Sequence, residues 1–148
     1  MKFVDKNLAI KLKEKGFNRP CFGYYHKVQD KKLKPHLNYT NGGTILNLYN
    51  KHIDSTYVVD APTIDQVLEW LREEKNIHIG IMPYFTMSTK NNIMWLWEIL
   101  LVGKIIECEN TLYADEDYNY TKLASADSYA NYEDACIASI NLVVEYLI

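Results

Sequence analysis

The sequence predicts an α+β fold: an antiparallel sheet, made of a three-strand meander plus one or two N-terminal strands, packed against two to three helices as a two-layer sandwich. Three observations predict it. Apolar residues recur at helical spacing over residues 64–71 and then at a period of two over residues 77–81. Strand-like segments follow one another instead of alternating with helices, which favours an antiparallel sheet. The 148-residue chain is 48% hydrophobic and 24% charged, a globular composition at a length that suits one domain spanning residues 1–148.

Asp5 is placed to cap a first helix over residues 6–15, with Gly16 as its stop. Val4, Leu8, Ala9 and Leu12 line one face of it, and lysines spread over the remainder. Residues 21–28 read as a strand with Gly23 as a bulge point. Polar turns are expected at residues 29–34 and at Asn41-Gly42-Gly43, with a short strand at 44–49.

Thr63-Ile64-Asp65-Gln66 fits a capping box, in which the Thr63 hydroxyl accepts from the Gln66 N–H and the Gln66 side chain reaches back. Ile64, Val67, Leu68 and Leu71 then form the apolar stripe of a second helix, with Trp70 at its margin. In the next segment Ile77, Ile79 and Ile81 share one side and His78, Gly80 and Met82 the other, while Pro83 marks a strand end or an edge. A turn at Lys90-Asn91-Asn92 leads into residues 93–101, apolar on both faces apart from Glu98 and so expected as a doubly covered central strand. Residues 105–109 complete the meander. Asn131 caps the last helix, whose buried stripe is expected to hold Tyr132, Cys136, Ile140, Val143 and Leu147, widened by Ala135, Leu142 and Tyr146.

Several chemistries lack the residues they need. The chain has three Cys, with no CxxC pair, so reduced thiols are expected and no disulfide framework. Cys21 and His26, five apart on a regular strand, point to opposite faces and make a poor nucleophile–base pair. The four histidines, His26, His36, His52 and His78, show no metal-ligand spacing. In the acidic run that starts at Asp115, the sixth position of a calcium loop is Tyr120 and the twelfth is Ala126, where Gly and Glu are required. No phosphate-loop or dinucleotide glycine pattern occurs. No catalytic residue, cofactor or metal ligand is therefore assigned. The N-terminal residues lack a signal-peptide core, and the longest apolar stretch is too short to span a bilayer, so a cytoplasmic protein without a membrane partner is expected.

Several blocks run collinearly through the chain: Lys13-Glu14-Lys15-Gly16-Phe17, Pro20-Cys21-Phe22-Gly23-Tyr24-Tyr25, Ala61-Pro62-Thr63, Glu69-Trp70-Leu71-Arg72-Glu73, the strand at 77–81, and Tyr132-Glu133-Asp134-Ala135. Together these collinear blocks resemble a family of short uncharacterised proteins of Bacteroides-type gut bacteria and their phages and prophages. The resemblance implies a bacterial cytoplasmic or phage-infected-cell setting and an accessory role. It implies no activity or site residue.

Net charge is −3 but unevenly spread, with lysines concentrated before residue 36 and acids after residue 105. Twelve Tyr and three Trp supply rings that either fill a core or present a polar-tipped aromatic face. Trp95 and Trp97 fall on the same face of their strand and form either core beneath a helix or a partner surface. The candidate interaction surface is Trp95 and Trp97, joined by Tyr24, Tyr25 and His26. The leading expectation is a non-enzymatic protein–protein interaction module, accessory to a phage or prophage, with an unidentified protein partner or a second copy bound through the sheet or last helix. The alternative is a weak nucleic-acid binder that uses the N-terminal lysines with Tyr24, Tyr25 and His26. A small enzyme stands third.

Overall fold

Among the described residues two antiparallel sheets form where the sequence suggests one. The computed structural model describes residues 2–26, 37–39, 58–85 and 93–148. They fall into two units, Met1–Val67 and Leu68–Ile148. The turns expected at 29–34, 41–43 and 90–92, the strand at 44–49, and His36 and His52 lie outside the described residues.

The first unit opens on helix α1, Lys6–Glu14, and Asp5 caps it by accepting from the Leu8 N–H at 2.9 Å. Gly16 ends it with φ +93°, a conformation that glycine adopts without Cβ strain. Leu8, Ala9 and Leu12 are buried, as their spacing requires. The sheet order is β2-β1-β3, from strands β1 (Gly23–His26), β2 (Leu37–Tyr39) and β3 (Val58–Ala61). All four residues of β3 are buried, and α1 packs against that strand. The N-terminal residues run beside the end of β3: Val4 N donates to Pro62 O and Ile64 N to Lys2 O, each at 3.0 Å.

Helix α2, Ile64–Lys75, starts in the first unit and runs into the second. Its capping box forms as expected: Gln66 N donates to Thr63 Oγ1 at 3.2 Å, and Thr63 N to Gln66 Oε1 at 3.0 Å. Trp70 is fully buried, not marginal. Its indole N–H donates to Glu74 Oε2 at 3.0 Å, which supplies the partner a buried Trp needs.

The second unit holds a four-stranded antiparallel sheet in the order β4-β5-β7-β6. The strands are β4 (Ile77–Tyr84), β5 (Met94–Val102), β6 (Thr111–Asp115) and β7 (Tyr120–Ala124). The α+β class holds. However, the third member of the meander is not 105–109, which forms no strand. β5 already has β4 on one side and β7 on the other, so no ladder position beside it remains for residues 105–109. Thr121, fully buried on β7, secures that segment from its side chain: its hydroxyl accepts from Ile106 N and donates to Lys104 O, each at 3.0 Å.

Helix α3, Tyr132–Leu142, packs across β5 and β4. Asn131 caps it as expected, accepting from Asp134 N at 2.8 Å. Trp97, Ile99, Leu101, Ile77 and Leu123 are buried with Cys136 and Ile140 in the core of this unit. The expected stripe is right at Cys136, Ile140 and Val143 but not at its ends. Tyr132 is exposed, and residues Val143–Leu147 form a π-helical turn. The wider turn rotates the last residues off the helical stripe, so Val144 is buried and Tyr146 is 78% exposed. Among the described residues no helix is long and apolar enough to cross a membrane.

Candidate functional site

The structure divides the five residues expected to form an interaction surface. Tyr25 is only 7% exposed, and its phenol donates to Val4 O at 2.7 Å, so it belongs to the core of the first unit. Tyr24 and exposed His26 meet edge to face, with ring centroids 5.6 Å apart. Trp97 is 4% exposed, and its indole N–H lies 3.4 Å from Tyr129 Oη. Trp95, half-buried, meets the Tyr132 ring edge-on at 5.5 Å. Trp95 and Trp97 do share a face, and it is the face on which α3 lies. Tyr25 and Trp97 therefore leave the candidate surface: each is buried and satisfied within its own unit.

Two possible reactive groups, Cys21 and Asp115, are equally well accounted for. Cys21 is buried, donates to Arg19 O at 3.4 Å, and has its thiol pKa pushed up from 9.0 to about 12 by burial and by the nearby Asp60 carboxylate. A thiol so protonated is a poor nucleophile. Asp115, at the head of the acidic run, uses its carboxylate in the β6–β7 turn. It accepts from Tyr118 N at 3.0 Å and from the Tyr113 hydroxyl at 2.8 Å, and these bonds hold its pKa below the usual carboxylate value. Asn119, with φ 53°, completes the turn in a conformation that Asn tolerates. Among the described residues no three His, Cys, Asp or Glu side chains come together as a metal set.

What the fold presents instead is the other face of the second sheet. The sequence predicts β5 as doubly covered; among the described residues it is central but covered by a helix on one side only. Trp97, Ile99 and Leu101 are buried, whereas Leu96, Glu98 and Leu100 are half-buried and Val102 is exposed. The strand register brings His78 beside Leu100, Leu100 beside Lys122, and Lys122 beside Tyr113 in a row across this face. Glu98 and Lys122 pair at 2.8 Å on it. Tyr113 and Tyr120 lie with ring centroids 5.8 Å apart, and Tyr118 stands 79% exposed at the turn. A hollow of about 590 Å³ opens here, lined by His78, Gly80, Glu98, Leu100, Tyr118 and Lys122. Gly80 leaves its floor low, with nothing within 4 Å of where a Cβ would stand. A second cavity, about 380 Å³, lies between residues 101–110 and the C-terminal turn, with exposed Cys108, Glu109 and Tyr146 on its walls.

The two edges of this sheet differ. At β6 the register slips between Thr111 and Tyr113, so Leu112 bulges out and the ladder is interrupted. β4, Ile77–Tyr84, has no bulge and no Asp, Glu, Lys or Arg in eight residues. Its backbone orientation follows from β5. Trp95 exchanges both backbone hydrogen bonds with Tyr129 at 2.8 Å, and Val102 N donates to Asn76 O at 3.1 Å. Odd residues of β5 thus face β7 and even residues face β4. By register, His78, Gly80, Met82 and Tyr84 answer the even residues, and Ile77, Ile79, Ile81 and Pro83 turn their peptide groups to the outer edge. Pro83, which lacks an N–H, sits where no ladder bond is lost.

Sequence reasoning missed this face because two of its four strands, β6 and β7, flank the acidic run that starts at Asp115, where no strand is expected. The signal was there: Tyr120, Lys122 and Ala124 alternate with the buried Thr121 and Leu123. No family model matches the chain, and no curated protein or solved structure matches it.

Proposed function

We propose that the chain is a non-enzymatic protein–protein interaction module whose docking surface is the outer face of the β4-β5-β7-β6 sheet. The observation that carries this reading is the run of exposed and half-buried Tyr113, Tyr118, Tyr120, Leu100 and Val102 around the Glu98–Lys122 pair. Aromatic side chains contribute large contact area with little conformational entropy to lose, and they dominate interface energetics. Glu98 and Lys122 neutralise one another on this face, so a partner meets a paired charge and not two separate ones. The phage or prophage setting rests on the sequence resemblance alone.

The test is a tagged pull-down from a bacterial lysate, nuclease-treated and untreated, run in parallel with a Tyr113→Ala/Tyr118→Ala variant and with Tyr146→Ala. Tyr146 is comparably exposed but belongs to the C-terminal turn. A stoichiometric protein retained by Tyr146→Ala and lost by the double variant supports the reading. A partner that disappears on nuclease treatment, or one indifferent to the double variant, overturns it.

A further inference from the structure

We infer that the outer edge of β4 is a self-association site, where a second copy of this chain pairs antiparallel about Gly80 and extends the sheet across both molecules. The inference concerns the edge of the sheet and goes beyond the partner reading, which concerns its face.

An edge strand that presents unpaired N–H and C=O groups is a template for another strand, and soluble proteins blunt such edges with charges, bulges or prolines. This sheet blunts one edge and leaves the other. β6 carries the Leu112 bulge. β4 carries neither bulge nor charge, and Ile79 and Ile81 direct their peptide groups outward with no strand beside them among the described residues. Pro83 protects only the last position.

The occupant is argued from what β4 itself offers. Gly80 lies near the middle of Ile77–Tyr84. In antiparallel pairing about a two-fold axis at Gly80, Ile79 faces Ile81 of the second copy and Ile81 faces Ile79, each pair exchanging both backbone bonds. Ile77 then faces Pro83 of the second copy and donates to its carbonyl, so the missing proline N–H removes a single bond per side. The count is about six inter-chain hydrogen bonds, at two per full pair and one per proline pair. On the outer face His78 stands across from Met82 of the second copy, a favourable sulfur–aromatic match. The two Gly80 residues form the closely spaced, non-hydrogen-bonded pair, where absence of side chains relieves crowding. No like charges oppose one another anywhere along the strand. Such reciprocity is what a two-fold interface requires, since each residue must suit its counterpart in both directions. An arriving strand would also continue the floor of the outer-face hollow, which His78 and Gly80 bound on the β4 side.

The pairing can be trapped. In a non-hydrogen-bonded antiparallel pair the Cα atoms lie about 4.5 Å apart, inside the disulfide range of about 4.4–6.8 Å. Gly80→Cys, in a Cys108→Ser background to remove the exposed native thiol, is oxidised mildly and run on a non-reducing gel. We expect a cross-linked species of twice the 17.3 kDa chain mass, and light scattering of the unmodified protein at the same doubled mass. Space for a side chain at Gly80 makes Gly80→Lys and Gly80→Glu compatible with the fold. Each alone should be monomeric with an unchanged circular dichroism spectrum, and an equimolar mixture should recover the dimer. A wild-type monomer at about 100 µM with no Gly80→Cys cross-link overturns the inference, as does a dimer insensitive to both charges. The Tyr113→Ala/Tyr118→Ala variant should remain dimeric, so loss of the outer-face partner and loss of the dimer are separately visible.

Discussion

The Tyr25 phenol donates a 2.7 Å hydrogen bond to the carbonyl oxygen of Val4, twenty-one residues earlier in the chain. Val4 N in turn donates to Pro62 O at 3.0 Å, so one buried residue ties the N-terminal segment both to β1 and to the end of β3. Tyr25 therefore closes the first unit from inside. Removing its hydroxyl strands a buried carbonyl, and Tyr25→Phe should cost about 1–2 kcal/mol of unfolding free energy in urea titration. A variant as stable as the wild type would show that the bond adds nothing net.

Gln66 serves two masters. Its Oε1 accepts from Thr63 N at 3.0 Å in the capping box, and its Nε2 donates to Pro20 O at 2.8 Å. Gln66→Ala loses both and should destabilise by about 1 kcal/mol, in the range of other cap deletions. Gln66→Glu keeps the acceptor and loses the donor, so its cost should fall between the two. The same urea titration distinguishes them.

Thr121 decides the course of the segment after β5. With both the Ile106 N–H and the Lys104 carbonyl bound to one buried hydroxyl, Thr121→Val should cost about 2 kcal/mol. It should also loosen the loop that carries Cys108. The rate at which an aromatic disulfide reagent labels that thiol in the native protein is the specific readout. Unchanged labelling would mean the loop is held elsewhere.

The Cys21 thiol predicts an alkaline dependence. Its pKa rises from 9.0 to about 12 on folding, so above pH 9 the unfolded chain releases a proton that the folded chain retains. Its contribution is complete below pH 9 and is lost as pH climbs towards 12. The difference in unfolding free energy between wild type and Cys21→Ala should therefore shrink as pH rises from 9.0 towards about 12, the window set by those two values. A difference that stays flat over that range would contradict the assignment. In the native protein near neutral pH, Cys108 should label fast and the buried Cys21 and Cys136 slowly.

The helix starts were legible in the sequence because each is a contract among neighbours. Asp5 with Leu8, Thr63 with Gln66, and Asn131 with Asp134 all lie three residues apart, and the bonds they predict are present. The same holds for the period of two at Ile77, Ile79 and Ile81, which turns those side chains towards the interior. Local stereochemistry is enough for such features, so sequence by itself determined the α+β class, the helix caps and the inward face of β4.

Pairing between distant segments is a competition, and only the tertiary structure decided it. Residues 105–109 and 120–124 alternate comparably, yet one is β7 and the other is not a strand, because β5 has only two sides and Thr121 satisfies the displaced segment. Trp95 and Trp97 share a face, but α3 buries the second more than the first. Tyr25 and Tyr118 are the same residue type, one core and one surface, separated by whether a partner such as the Val4 carbonyl waits within reach. Residue type states what a side chain can do when buried or exposed. Which of the two occurs depends on the order in which distant strands pair, and that is settled by summed backbone hydrogen bonds and packing across the whole sheet.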